Sequence, residues 1–282
     1  QQCPLYNAPG LPISWNKKQY QEGTNEYVAV RPELKKQIEE LYRKHPEEAR
    51  DSFGEDPFEV KNILKYWVLS EKQEFHVIPT DTINIHIDKD ALLRSGIMLP
   101  KTIRHLKGED LKDAIPDKLY IPLTDIRMLT KVDLLMLEML ANCNWERPLY
   151  LAISVGSVSK LKFDNYFVQE GLAFRFTPFD YKKWGDVGEN RLYAVDVERL
   201  YDNVMNRYKY GGLDTPGLYL DETTLRTCWY HRRLFAQLAK ELIAQGDNER
   251  AKKVLAYAEQ VIPGYNVPET HESGSYDIAT AY

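Results

Sequence analysis

The stretch that decides the fold runs from Leu129 to Val155 and reads LTKVDLLMLEMLANCNWERPLYLAISV. Thr130 and Asp133 have the spacing of a capping box, and nearly every residue from 132 to 140 is apolar. A helix that is apolar on most of its faces is typical of a protein interior. The pattern therefore predicts a core helix that begins just after Thr130.

A polar corner and a second apolar run follow this helix. Asn142, Asn144 and the pair Arg147-Pro148 predict the end of the helix. The run from Leu149 to Val155 is continuously apolar, which is typical of strands that are covered on both faces. A buried helix followed by such a strand indicates an α/β or α+β fold.

Other segments predict the elements around this core. Ile83 to Ile87 alternates apolar and polar residues, and so does LAFRFTP, as in a half-buried strand. We expect a mixed sheet, covered by helices, that contains 83–87, 149–155 and 172–176. Apolar periodicity predicts helices over 32–44, 56–69 and 195–208, the last ending at a Gly211-Gly212 cap.

The last third of the chain predicts a helical hairpin, formed by 221–244 and 248–262. The spacing of Gly246, Ala251, Ala258 and Pro263 resembles the second half of a tetratricopeptide (TPR) unit. We expect three parts: an α/β body over 1–220 that opens with a Pro-rich entry segment (1–31), a TPR-like hairpin over 221–265, and a loose tail over 266–282.

The composition bears on the expected partners and cofactors. Net charge is −5 from 37 basic and 42 acidic residues without a basic stripe, so nucleic acid is not an expected partner. The sequence contains no run of 18 apolar residues, so it predicts no membrane span. The cysteines, at 3, 143 and 228, are few and far apart, and the histidines show no metal-binding spacing. We expect no metal, no cofactor and no catalytic constellation.

Aromatic and acidic side chains alternate in residues 160–190. Rings can stack on a sugar while carboxylates bind its hydroxyl groups, which makes this segment a candidate sugar-binding surface. The candidate residues are Tyr181, Trp184, Asp164 and Asp186. An ordinary loop on a sheet edge would show the same mixture, and a free-standing hydrolase would need these carboxylates to meet in a cleft.

Several stretches, in order over most of residues 4–263, resemble the C-terminal region of the DUF2723 membrane proteins of Bacteroidota, which are assigned to glycosyltransferase family 117. Residues 32–128 match less distinctively. The stretches are PLYNAPGLPISW, NEYVAVR, LTKVDLLMLEMLANCNWERPLYLAI, YFVQEGLAFRFTP, DNVMNRYKYGGLD with YLDE, and the hairpin ending in VIPG.

The resemblance implies a periplasmic domain of a GT-C membrane enzyme similar to protein O-mannosyltransferases. Such enzymes transfer a sugar from a polyprenyl phosphate to exported proteins, and their catalytic acidic residue lies in the transmembrane half. The start at Gln1 fits a fragment of such a protein, and the resemblance carries no catalytic residue onto this chain. The implied partners are that transmembrane half and exported acceptor proteins or glycan.

The polar corner is the predicted contact with the transmembrane half, because Asn142, Asn144, Trp145 and Arg147 are more polar and aromatic than a plain connection needs. Two functions remain open. The chain is either a non-catalytic domain that handles acceptor or braces the membrane half, or a TPR-like protein-interaction module with no direct part in glycan transfer.

Overall fold

The computed structural model describes residues 27–155, 161, 163–188, 193–270 and 273–281. Most of the predicted entry segment, residues 1–26, lies outside them, as does Cys3. The chain forms two compact units. The first comprises Gln1–Leu149, Val155–Tyr166 and Thr177–Glu189, and the second comprises Tyr150–Ser154, Phe167–Phe176 and Asn190–Tyr282.

The first unit contains two small sheets. In one, β1 lies between a parallel partner, β2, and an antiparallel partner, β5. In the other, β3 pairs with β4 in antiparallel register, Ile83 opposite Ile121 and Ile85 opposite Leu119, all four buried. The strands are β1 (Tyr27–Val30), β2 (Val77–Ile78), β3 (Thr82–His86), β4 (Lys118–Pro122) and β5 (Met128–Thr130).

The helices of the first unit are short apart from α1 and the core helix. The predicted helix over 56–69 is divided into α3 and a π-helical turn over Leu64–Val68, in which Trp67 stacks on Phe53 with ring centroids 5.1 Å apart. The helices are α1 (Leu34–Lys44), α2 (Pro46–Phe53), α3 (Val60–Ile63), α4 (Lys89–Arg94), α5 (Gly108–Ala114) and α6 (Lys131–Asn142).

Helix α6 confirms the core helix that the deciding stretch predicts just after Thr130. The Thr130 side chain accepts from the Asp133 N–H, and the Asp133 carboxylate accepts from the Thr130 N–H at 2.8 Å, which completes the capping box. Leu134, Leu137 and Leu140 are buried along the helix. Burying an apolar side chain of this size contributes roughly 1.5–3 kcal/mol to the stability of the fold. The apolar pattern therefore predicted α6 correctly.

The second unit contains a four-stranded sheet in the order β6-β8-β7-β9. The prediction that 149–155 is a strand covered on both faces was wrong. Only Tyr150–Ala152 is extended, none of its three side chains is buried, and Tyr150 is 49% exposed. Among the described residues this strand is at the edge of the sheet and pairs with one neighbour, Ala173–Phe176. The strands are β6 (Tyr150–Ala152), β7 (Phe167–Gln169), β8 (Ala173–Phe176) and β9 (Ala194–Val195).

The expected strands therefore lie in different sheets. Ile83 to Ile87 belongs to the first unit, whereas β6 and β8 pair in the second. The class of the fold, mixed α/β with a helical hairpin, is confirmed, and the sheets are several and small.

The C-terminal hairpin is confirmed. Asp221 caps its first helix by accepting from the N–H groups of Thr223 and Thr224, and Asp247 caps the second by accepting from that of Arg250. Buried alanines, including Ala251 and Ala258, line the packed faces. The helices of the second unit are α7 (Val197–Asp202), which continues as a π-helical turn over Asn203–Arg207, α8 (Glu222–Ala244), α9 (Asn248–Val261) and α10 (Ser275–Ala279).

The residues expected to form a loose tail pack on the hairpin. Val267 and Ser273 are fully buried, and α10 contacts α8. The reason is Arg232, a buried cation on α8 whose guanidinium donates to the carbonyl oxygens of Ile262 at 3.1 Å and of Val267. A buried guanidinium needs such acceptors, so it holds this segment in place.

Candidate functional site

The structure brings the four residues of the predicted corner together in one tight turn after α6. Asn142 ends the helix and is half-buried, whereas Asn144 and Arg147 are exposed. Oδ1 of Asn144 accepts a hydrogen bond from Nζ of Lys61 at 3.1 Å. Of these four residues, Asn144 and Arg147 therefore present exposed polar side chains.

Trp145 is the internal anchor of this corner. It is 6% exposed, and its indole Nε1 donates to the carbonyl oxygen of His86 at 2.8 Å. Asn144 and Trp145 have φ angles of 48° and 61°. Left-handed backbone costs roughly 1–2 kcal/mol for an L-residue, and such strain persists only where the surroundings enforce it. The buried indole and its hydrogen bond enforce it here, and they keep the ring away from any partner.

The predicted sugar-binding residues divide into buried and exposed ones. Tyr181 is fully buried, and its hydroxyl donates to the carbonyl oxygen of Met98. Its ring meets that of Phe179 edge to face, with centroids 6.2 Å apart. A ring enclosed in this way has no face on which a sugar can stack, so the structure places Tyr181 in the core of the first unit.

Asp186 is also committed to the fold. Its carboxylate is 2% exposed and accepts from the N–H of Lys101 at 3.0 and 3.2 Å and from the Arg104 guanidinium at 3.3 Å. Trp184 is half-buried against Phe179, and Asp164 is exposed. Of the four residues, only Trp184 and Asp164 retain surface for a ligand.

A polar cluster around Glu170 in the second unit was not predicted as a site. Oε1 of Glu170 lies 3.0 Å from Nη1 of Arg199 and 3.6 Å from Nη1 of Arg175, and Oε2 accepts from the Tyr150 hydroxyl at 2.8 Å. The backbone oxygen of Glu170 accepts from Nδ2 of Asn203 at 2.6 Å. Four segments of the unit therefore meet at one buried carboxylate.

Electrostatics in this cluster favour a structural role for the carboxylate. Both Glu170 oxygens are occupied, and Arg175 is 3% exposed. Burial raises the pKa of Tyr150, as does the hydrogen bond to Glu170. Burial also raises the pKa of Asp196, which caps α7. An acid–base catalyst needs a reactive oxygen within hydrogen-bond reach of its substrate, and Glu170 offers none.

The hydroxyl of Tyr208 lies against the same turn. It accepts from the N–H of Leu172 at 3.0 Å, and a Cβ added at Gly171 would lie 2.1 Å from its oxygen. These contacts join three of the stretches that carry the resemblance. Tyr150 of one stretch bonds Glu170 of a second, and Gly171 of the second lies against Tyr208 of a third. Only proximity in the fold reveals this, because Tyr150 and Glu170 are 20 positions apart.

Across the ranges that the structure describes, no group of three or more His, Cys, Asp or Glu side chains is placed to hold a metal ion. No helix within those ranges is long and apolar enough to span a membrane.

These elements define a mixed α/β protein with several small sheets and a C-terminal helical hairpin. The chain belongs to the family described as TMEM260-associated domain 2, whose model matches residues 1–198. This family is linked to a membrane protein. No curated protein and no solved structure matches the chain.

Proposed function

We propose that the chain is a non-catalytic, periplasmic domain of a multi-span membrane glycosyltransferase similar to protein O-mannosyltransferases, in which it presents acceptor protein or braces the membrane half. The observation that carries the proposal is membership of a family linked to a membrane protein. The stretches that resemble DUF2723 proteins support the proposal. That resemblance implies a transmembrane half, which would hold the catalytic residue.

The polar corner is the proposed contact with the membrane half. Two consecutive left-handed residues, Asn144 and Trp145, give the corner a strained backbone, and strain of this kind concentrates at functional sites. The buried indole fixes the turn, and the exposed Asn144 and Arg147 project from it. The corner thus offers a rigid polar surface that binds a partner at little entropic cost.

The first test is genetic. The reading frame that precedes the codon for Gln1 should encode several apolar segments of about 20 residues, the length that crosses a bilayer. A start codon directly before this chain, with no such segments in the same frame, would contradict the proposal.

The second test measures glycan transfer by the full-length protein. Arg147→Glu reverses an exposed charge on the corner and should reduce transfer, while the domain keeps its melting temperature. Arg43→Glu is the matched control, since Arg43 is an exposed arginine of α1 in the same unit. Equal transfer by both variants would argue against the corner as a contact.

A further inference from the structure

A pocket lies in the second unit beside the Gly211-Gly212 pair. It is open to solvent and has a volume of about 380 Å³, within the range of roughly 300–1,000 Å³ that is usual for small-ligand sites. The π-helical turn after α7, the Gly-Gly turn and α9 form its walls. The aromatic and polar residues that line it are Tyr208, Tyr210, Tyr257, Asn206, Lys209 and Asp214.

The Gly-Gly pair forms a turn, which corrects the expectation that it caps a helix. The preceding π-helical turn ends at Arg207, and the N–H of Leu213 donates to the carbonyl oxygen of Tyr210 at 3.2 Å. Gly211 and Gly212 have φ angles of 63° and 72°. This is the pattern of a type I′ turn, which requires left-handed backbone at both central positions.

The rim of the pocket is fixed by residues that follow α9. The Tyr265 hydroxyl donates to the carbonyl oxygen of Asp214 at 2.5 Å. Nδ2 of Asn266 donates to the carbonyl oxygens of Leu213 at 2.7 Å and of Thr215 at 2.5 Å. Three successive carbonyl groups are therefore held in place, so the pocket is formed before any ligand arrives.

The tyrosine rings are held in place as well. The Tyr210 hydroxyl donates to the carbonyl oxygen of Val204 at 2.7 Å, and its ring packs on His231, Phe235 and Tyr257 at centroid distances of 5.3, 5.6 and 6.0 Å. The Tyr208 hydroxyl is likewise used in accepting from Leu172. These two side chains therefore offer the pocket ring surface rather than free hydroxyl groups.

The polar lining selects the charge of the ligand. Lys209 and Asp214 are both exposed and carry opposite charges, so their charges cancel at the pocket. Asn206 adds an amide, whose Nδ2 donates to Oδ1 of Asp202 at 3.0 Å and whose oxygen remains an acceptor. Rigid rings beside an amide, an ammonium and a carboxylate match a neutral ligand with an apolar face and several hydroxyl groups.

We propose that this pocket binds a carbohydrate, a neutral sugar unit that stacks on the tyrosine rings and exchanges hydrogen bonds with Asn206, Lys209 and Asp214. The proposal rests on the geometry of the second unit alone and goes beyond the proposed function, which assigns no ligand to any residue. Its failure would therefore leave the corner and its contact untouched.

The test is titration of the 282-residue chain with methyl glycosides of mannose, glucose, galactose and N-acetylglucosamine, followed by amide NMR shifts and by saturation transfer to the sugar. At least one glycoside should shift the amides of Gly211 and Gly212. Tyr257→Ala should weaken that binding roughly tenfold, because it removes one stacking ring. Tyr257→Phe should restore it.

A second variant and a control keep the result interpretable. Asp214→Ala removes an exposed carboxylate but not the backbone carbonyl that Tyr265 bonds, so it should weaken binding while the chain stays folded. Tyr219→Ala removes a tyrosine that is 87% exposed and lies outside the pocket lining, and it should bind like the parent. No shift with any glycoside, or equal binding by Tyr219→Ala and Asp214→Ala, would overturn the proposal.

Discussion

The close approach of Tyr208 to Gly171 gives a sharp prediction for the stability of the second unit. A Cβ at position 171 would lie 2.1 Å from the Tyr208 hydroxyl oxygen and 3.1 Å from Cζ. Carbon and oxygen atoms in proteins rarely approach closer than about 3.3 Å outside a bond. Gly171→Ala therefore forces the hydroxyl away from the Leu172 N–H, which it bonds at 3.0 Å.

The cost of Gly171→Ala has three sources. Overpacking costs roughly 1–3 kcal/mol, the lost hydrogen bond about 1 kcal/mol, and a side chain at a φ of 154° about 1 kcal/mol. We expect the free energy of unfolding to fall by about 3–5 kcal/mol. Tyr208→Phe loses only the hydrogen bond and should lower the free energy of unfolding by about 1 kcal/mol.

The double variant separates these contributions. Once the hydroxyl is absent, the nearest atom to the new Cβ is Cζ at 3.1 Å, so most of the clash is relieved. Gly171→Ala with Tyr208→Phe should therefore cost at least ~1 kcal/mol less than the two single variants together. Urea unfolding followed by circular dichroism measures all four free energies. Additive costs would refute the contact between Tyr208 and Gly171.

Three further predictions concern both units. Trp145→Phe should lower the free energy of unfolding by about 2 kcal/mol in a urea titration, because the His86 carbonyl loses its donor; a cost near zero would contradict the anchor. Glu170→Gln should lower the free energy of unfolding by roughly 3 kcal/mol, since it removes the charge that faces buried Arg175. The control Glu249→Gln, at an exposed position, should leave that free energy almost unchanged. Burial raises the pKa of Asp56, but hydrogen bonds from Lys118 and the Phe58 N–H hold it below its usual value. The resulting stability is present above the unfolded pKa of about 4 and lost as pH falls through the folded pKa. The cost of Asp56→Asn should thus shrink between pH 6 and pH 2, and a constant cost would refute the assignment.

The sequence predicts those elements whose stabilising contacts are local. The capping box of Thr130 and Asp133, the apolar run of α6, and the caps at Asp221 and Asp247 all act within a few residues, and each appears where it was expected. The hairpin of α8 and α9 follows from the same local signals. Its likeness to a TPR unit stays a prediction.

Strand partners could not be predicted in this way. A continuous apolar run favours a strand buried on both faces, yet β6 is at the edge of its sheet, with Tyr150 exposed. Whether a strand is central or at an edge depends on which distant segments pair with it, and periodicity carries no such information. For the same reason, periodicity could not show that the strands expected in one sheet belong to separate sheets in two units.

The candidate sites show a similar division. Local composition identified the corner and the aromatic loop, but it could not tell that Trp145 and Tyr181 are buried anchors, because their acceptors are on His86 and Met98. The Glu170 cluster and the tyrosine pocket depend on residues tens of positions apart. The sequence predicted a helix cap at Gly211-Gly212 and gave no local signal for the pocket beside it.

The claim that the chain contacts a transmembrane half through its polar corner is tested most directly by site-specific crosslinking in the full-length protein. A photoreactive phenylalanine analogue at position 147, which is exposed on the corner, should crosslink to a transmembrane segment of the same protein. The same analogue at position 43 on α1 should give no such product. Equal crosslinking from both positions, or none from position 147, would contradict the proposed contact.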